Sequence, residues 1–266
     1  MPLAPSAAVQ GRLVLTHPEP RIDRVAAHLR AQGIDVVVLP ARRIVPQSDE
    51  PSDASDAAAP LARLAEYTWV IPVSPGAVDA ALARRAAGWP RATGLAAVGP
   101  GTVAALARVG LAAPTVRVVA PVSPPFDADA LLALPEFLHG AGARVLVLRG
   151  ASGRDGWVDV LRARGFVVDV VRAYRLEAAE PAAGEIERLR AWVACDAPAA
   201  FAFSSVDAID VTLRRLEAAG ALDWAMRQRA LVLHPRHAAH LAGLGWSRTV
   251  QVAPGEAALM QALESA

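Results

Sequence analysis

Tyr174 is one of only two tyrosines and closes the run Val170-Val171-Arg172-Ala173-Tyr174-Arg175. A phenol there can give up a proton or pack at a crossing between domains, and composition alone favours packing. Other reactive side chains are sparse. The chain has no lysine, which removes a P-loop lysine, a pyridoxal Schiff base and any lysine nucleophile. Cys195 is the single cysteine, so an internal disulfide and a cysteine-based zinc site are excluded. Its place in Ala191-Trp192-Val193-Ala194-Cys195-Asp196 reads as a packed structural thiol. His234-Pro235-Arg236-His237-Ala238-Ala239-His240 invites a metal, but no acid or cysteine lies close by in the sequence. A helix-start cap followed by a surface histidine is the plainer reading, and no metal is expected. Gly99-x-Gly101-x-x-Ala104 imitates a dinucleotide fingerprint, yet the next strand, Val116–Ala120, ends without the required acid. No cofactor is expected. The Gly-x-Ser-x-Gly elbow is missing too, so Ser74, Ser204 and Ser205 are read as hydrogen-bond donors rather than nucleophiles.

A second set of candidates lies in the turns after the strands. Thr16-His17-Pro18, Ser74-Pro75-Gly76, Gly99-Pro100-Gly101-Thr102, Pro121-Val122-Ser123, Gly150-Ala151-Ser152-Gly153-Arg154, Ser204-Ser205, His234-Pro235-Arg236-His237 and Ala253-Pro254-Gly255 are all small, polar and rich in Gly or Pro. Each leaves backbone N–H groups at a helix start, where donors and the helix dipole attract anions. Any one of them is an ordinary strand-to-helix connection. Together, with Arg149 and Arg154 beside them, they suggest a large polyanionic ligand.

The elements that must carry these turns alternate. Strands are predicted at Arg12–Thr16, Asp35–Pro40, Trp69–Ser74, Leu95–Val98, Val116–Ala120, Arg144–Leu148, Val167–Tyr174, Ala199–Ser204, Ala230–His234 and Thr249–Val252. Helical periodicity fills the intervals, as in Arg21–Gln32 with Ile22, Val25, Ala26 and Leu29 on one face. Runs such as Val145-Leu146-Val147-Leu148 are apolar on both sides, as a parallel sheet covered by helices requires. The chain also repeats itself. Arg12 to Val37 answers to Arg144 to Val170, Ser74 to Ser204, Gly99–Gly110 to His234–Gly245, and Pro121 to Pro254. A duplicated five-stranded unit follows, hence two similar doubly wound, flavodoxin-like α/β domains with the ligand cleft expected between them. The acidic, proline-bearing stretch Ile44–Pro60 is expected to be a mobile solvated loop.

Composition bounds the partners. A net charge of +1 argues against a nucleic-acid or anionic-membrane protein, and 54% hydrophobic residues suffice for a core. No apolar run approaches the ~20 residues of a membrane span, and Met1–Gln10 lacks the features of a signal peptide. A cytoplasmic protein is expected, with no nucleic-acid or membrane partner. Nothing compels a dimer, and a monomer is expected.

In order and spacing the motifs resemble uroporphyrinogen-III synthases over essentially the whole chain. They are Leu15-Thr16-His17-Pro18; Gly33…Val38-x-Pro40-x-x-x-Ile44; Tyr67-x-Trp69-Val70-Ile71-x-x-Ser74-x-x-Ala77-Val78; Ala97-Val98-Gly99-x-x-Thr102-x-x-x-Leu106-x-x-x-Gly110; Val145-Leu146-x-x-Arg149-Gly150-x-x-Gly153-Arg154; Gly165 to Tyr174-Arg175; and Phe203-Ser204-Ser205. The resemblance implies closure of hydroxymethylbilane to uroporphyrinogen III with inversion of ring D and loss of water, without a cofactor. That substrate carries eight carboxylates, which suits rims of helix starts and arginines. A transient contact with the preceding pathway enzyme is also implied.

So is an unusual partition: residues 1–41 and 176–266 in one domain, 45–172 in the other, with hinge crossings at 42–44 and 173–175. Carried over residue by residue, Tyr174 assists departure of the hydroxyl and Thr102 contacts a carboxylate or orients water. Thr16, Ser74, Gly76, Gly99, Arg149, Gly150, Arg154, Ser204, Ser205, Arg236 and His237 are expected to bind substrate. The chain departs from the family at His17, often arginine, at Thr68, often aspartate, and at Ile71-Pro72-Val73. The fourth departure is His234-Pro235-Arg236-His237, which replaces a glycine-containing turn. These departures bear on Thr16, Ser74 and His237, and Arg236 is the candidate to supply the charge that His17 lacks. The competing readings are an inactive relative that binds tetrapyrroles or other polyanions, and a glycosyltransferase using a sugar nucleotide.

Overall fold

In the computed structural model, residues 11–46, 58–83, 88–151 and 156–264 are described. The strands are β1 (Arg12–Leu15), β2 (Asp35–Val38), β3 (Arg42–Pro46), β4 (Trp69–Pro72), β5 (Gly94–Ala96), β6 (Val118–Val119), β7 (Arg144–Gly150), β8 (Val167–Ala178), β9 (Ala200–Phe203), β10 (Arg229–Val232) and β11 (Thr249–Gln251). Between them run α1 (Arg21–Ala31), α2 (Ala58–Ala62), α3 (Pro75–Ala77), α4 (Pro100–Arg108), α5 (Ala128–Leu132) and α6 (Gly156–Ala163). The later helices are α7 (Ala183–Ala194), α8 (Val206–Ala218), α9 (Leu222–Met226), α10 (Pro235–Gly243) and α11 (Glu256–Glu264). Among the described residues, no helix is long and apolar enough to cross a membrane.

Contacts divide the chain into two units, Met1–Arg43 with Glu177–Ala266, and Ile44–Leu176. The first has the sheet order β11-β10-β9-β1-β2, and the second β3-β8-β7-β4-β5-β6. Counting β1, β2, β9, β10 and β11 as one to five gives the flavodoxin-like order 2-1-3-4-5. Counting β7, β8, β4, β5 and β6 gives the same order. The sequence repeat therefore holds strand for strand, but a half of the chain is not a domain. Of the ten repeated strands, each unit takes two from one half and three from the other.

The period-2 pattern explains why both faces are covered. In the first unit Val14, Val37, Phe201 and Val232 pack on one face with Trp224 and Trp246. Leu13, Leu15, Val36 and Val38 pack on the other with Ile22, Val25 and Leu29 of α1. The second unit repeats this, with Val70, Leu146 and Leu148 on one side and Ile71, Val145 and Val147 on the other.

β8 runs on past its expected end at Tyr174 to Ala178, and one strand is not expected at all. β3 occupies the start of the stretch read as a loop, and it gives the second unit a six-stranded sheet. None of its residues is fully buried, so no alternation of apolar and polar residues marks it. Arg42 at its start is held by Asp207 through two hydrogen bonds, Nε to Oδ2 at 2.7 Å and Nη2 to Oδ1 at 2.6 Å. The Arg42 bond keeps the Asp207 carboxyl below its usual range. The remainder of that stretch up to residue 57, and Met1–Gln10, lie outside the described residues.

Candidate active site

Ligands of doubly wound sheets bind beyond the carboxyl ends of the strands, at the point where strand order reverses. In the second unit that point lies between β7 and β4, which pair in parallel from Trp69–Val145 to Pro72–Leu148. There β7 ends at Gly150 and β4 leads into Ser74. A register shift between Arg149 and Gly150 inserts one extra residue on β8, so that Arg149 pairs with Arg172 but Gly150 pairs with Tyr174. Such a bulge re-aims the side chain that follows it. Tyr174 is thereby brought over a residue without a side chain. A Cβ on Gly150 would stand 3.0 Å from Tyr174 Cε2 and Cζ and 3.2 Å from the phenol oxygen. Gly76 supports the ring from another side, its hypothetical Cβ lying 3.5 Å from Tyr174 Cζ and 2.9 Å from Ile44 Cδ1.

The phenol is also held at its tip. Tyr174 Oη and Ser74 Oγ are 3.1 Å apart, with either atom able to donate. Ser74 is the N-cap of α3 and its Oγ accepts from the Ala77 amide at 3.2 Å. Ser74 can donate to the phenol oxygen while accepting from Ala77, and in that arrangement Tyr174 keeps its own proton to give. Tyr174 is half-buried, so the proton remains reachable.

Other expected residues take different places in this unit. Gly99 is the N-cap of α4, with Phe126 Cβ only 3.0 Å from where a side chain would start. Thr102 is buried in the first turn of α4 and its amide donates to Gly99 O at 3.0 Å. Arg149 is 6% exposed at the end of β7. Arg154 lies outside the described residues.

The corresponding point of the first unit, between β1 and β9, is built differently. Thr16 is buried and donates its hydroxyl to Ala202 O at 2.9 Å, while Ser204 Oγ donates to Thr16 O at 3.3 Å. Both protons are committed to stitching the strands together. Ser205 is the N-cap of α8 and accepts from the Ala208 amide at 3.1 Å, which leaves its own proton to give. His17 is buried, and burial followed by the Arg21 charge pushes it down to about 4. It is neutral at pH 7 and supplies no cation.

The histidine turn corrects the sequence reading in two respects. His234 does cap α10, accepting from the Arg236 amide at 3.1 Å, but His237 is 3% exposed rather than a surface side chain. Burial, then the charges of Arg236, His234 and His240, hold His237 down to about 4. The fold also brings Asp210 within 2.6 Å of His240 Nε2, an acid that linear spacing does not show. Among the described residues no group of three potential metal ligands forms. Arg236 is exposed on the same turn. Cys195 is exposed too, not packed, and closes α7 with Sγ 3.1 Å from Ala191 O.

The family model HEM4, described as uroporphyrinogen-III synthase HemD, matches residues 23–261. A uroporphyrinogen-III synthase of Salmonella typhimurium is 32% identical over 169 residues, 61% of this chain. The match spans 64% of that relative's length. A mutant uroporphyrinogen III synthase from the extremely thermophilic bacterium Thermus thermophilus shares the fold, with a TM-score of 0.54, 18% identity and coverage of 96% of this chain and 98% of that one. A uroporphyrinogen-III synthetase from Helicobacter pylori does so with a TM-score of 0.51, 15% identity and coverage of 96% and 100%. With a family match over nearly all of both units, the chain belongs to the uroporphyrinogen-III synthase HemD family.

Proposed function

We propose that the protein closes hydroxymethylbilane to uroporphyrinogen III, inverting ring D and releasing water. One observation carries the reading within this family: the Tyr174 phenol held over Gly150 and braced by Ser74 where strand order reverses. Loss of the hydroxymethyl oxygen needs a proton and leaves an azafulvene-type cation. Tyr174 gives that proton, and Ser74 positions the phenol and shares the developing charge. The cation is attacked by the substituted carbon of ring D, the spiro intermediate fragments and recloses with the ring reversed, and the proton lost as the pyrrole rearomatises restores the phenol. The pyrroles supply the electron density, so the protein's task is to fold the chain and hold ring D.

The carboxylates of the substrate are met by backbone amides at Ser74–Gly76, Gly99–Thr102 and Gly150, and by Arg149 and Arg154. In the first unit Ser205, Arg236 and the turn at His237 serve the same purpose. The same reading makes the protein a cytoplasmic monomer that meets the preceding pathway enzyme only transiently; gel filtration alone and with that enzyme tests both. The reaction itself is tested by incubating the purified protein with freshly made hydroxymethylbilane and separating isomers I and III. Isomer III above the spontaneous isomer I background is expected. Isomer I alone, at the spontaneous rate, would leave a binding protein and overturn the assignment.

A further inference from the structure

We propose that the first unit holds a second binding site, for a small organic anion bearing two or more carboxylate or phosphate groups, at the amino-terminal edge of its sheet. A cavity of about 510 Å3 lies there, lined by Arg12, Asp35, Gln228, Arg229, Arg248 and Leu263 among others. That volume is within the range of small-molecule sites, roughly 300–1,000 Å3. Arg12 opens β1, Asp35 opens β2, Arg229 opens β10 and Arg248 immediately precedes β11. The cavity is thus at the opposite end of these strands from Thr16 and Ser204.

Arginines at this edge have an ordinary explanation, because helix C-termini converge there and their carbonyls attract cations. Arg248 fits it, donating from Nη1 to Arg227 O at 3.4 Å. Arg12 and Arg229 do not. Among the described residues neither side chain forms an ion pair or hydrogen bond, and Arg12 Nε is buried with no acceptor. A buried donor in this condition calls for an acceptor, which a water, an ion or a ligand can supply. The polar groups around them are already engaged. Asp35 Oδ2 accepts from Trp192 Nε1 at 3.1 Å, and Gln228 binds the Ala199 amide and Trp224 O. Three arginines against one aspartate leave the lining with a formal charge of +2. Their guanidinium forks match the paired oxygens of carboxylate and phosphate. Leu263 gives the cavity an apolar wall, which suits an anion with a carbon body.

The test is calorimetric titration of the whole protein with citrate and with inorganic phosphate, at an ionic strength held constant with sodium chloride. Saturable binding of one equivalent is expected; tighter citrate names an organic polycarboxylate as the occupant, and tighter phosphate a phosphorylated one. Arg229→Gln and, separately, the surface variant Arg248→Gln should weaken it by about tenfold. Tyr174→Phe, at the active site of the other unit, should leave it unchanged. No binding of either anion beyond chloride overturns the proposal. So does binding that Tyr174→Phe abolishes, or that Arg248→Gln leaves intact in a variant with an unaltered melting temperature.

Discussion

At the scale of the residue, the site depends on where side chains are missing. Gly150 gives way to the Tyr174 ring at distances that no Cβ tolerates without a shift of a few tenths of an ångström. Gly150→Ala should therefore displace the phenol and lower kcat by roughly tenfold, with KM little changed. Gly76→Ala is the internal control. Its Cβ would press on the free end of the Ile44 side chain, which can turn aside, and would meet the Tyr174 ring at an ordinary contact distance. Its kcat should stay within about twofold of wild type. Steady-state kinetics on the pair separates a specific demand for glycine under the ring from a general intolerance of bulk. Equal losses in both variants would contradict the geometry.

Among elements, the helix starts carry most of the polar groups, and stability can be separated from binding at each. Ser205 caps the 13-residue α8. Ser205→Ala should cost about 1 kcal/mol in urea denaturation, whereas Ser205→Gly should cost only a few tenths. Both variants lack the hydroxyl, so a KM raised equally in the two assigns the Ser205 proton to substrate, and an unchanged KM confines it to the cap. The same elements show how much the sequence discloses. The central strands are legible because Val145–Leu148 or Phe201–Phe203 are apolar on both faces, and only a covered parallel strand demands that. β3 is not, since an edge strand of half-exposed residues beginning Arg42-Arg43 and ending in Pro46 has no alternation to read. Tyr174 is legible as a strand residue, but not as an interior one, since β8 runs on to Ala178; nor is the bulge that sets it opposite Gly150 legible, because an extra residue on one strand is visible only against its partner. His237 reads as a surface side chain because a histidine in a first turn has no sequence signature of burial.

On the scale of the whole molecule, the two units should respond differently to acid. His17 and His237 both belong to the first unit, and burial holds each down to about 4. Above pH 6.5 they are neutral whether folded or unfolded and contribute nothing to pH dependence. Between pH 6.5 and 4 the unfolded chain takes up protons that the folded unit refuses, so stability falls as pH falls. The full loss is on the order of 3 kcal/mol per histidine. In the second unit burial raises the Asp169 carboxyl, but hydrogen bonds from Tyr67 and Arg144 outweigh it and leave the group below its usual value. That stabilisation is present above pH 3.8 and is lost only below. Hydrogen exchange read peptide by peptide, and corrected for intrinsic rates, should show the first unit losing protection between about pH 6.5 and 5 while the second keeps it. Equal losses in both would contradict the assignment of acid sensitivity to the two buried histidines.

The central claim is that a phenol braced at the β4/β7 reversal releases the hydroxyl and so commits the substrate to inversion. Its most direct test is the rate of isomer III formation by wild type and by Tyr174→Phe, measured side by side with isomer I. The account predicts almost pure isomer III from wild type. From the variant it predicts a rate lower by about 100-fold, with isomer I gaining as spontaneous closure overtakes it. A Phe variant that makes isomer III at the wild-type rate would contradict it.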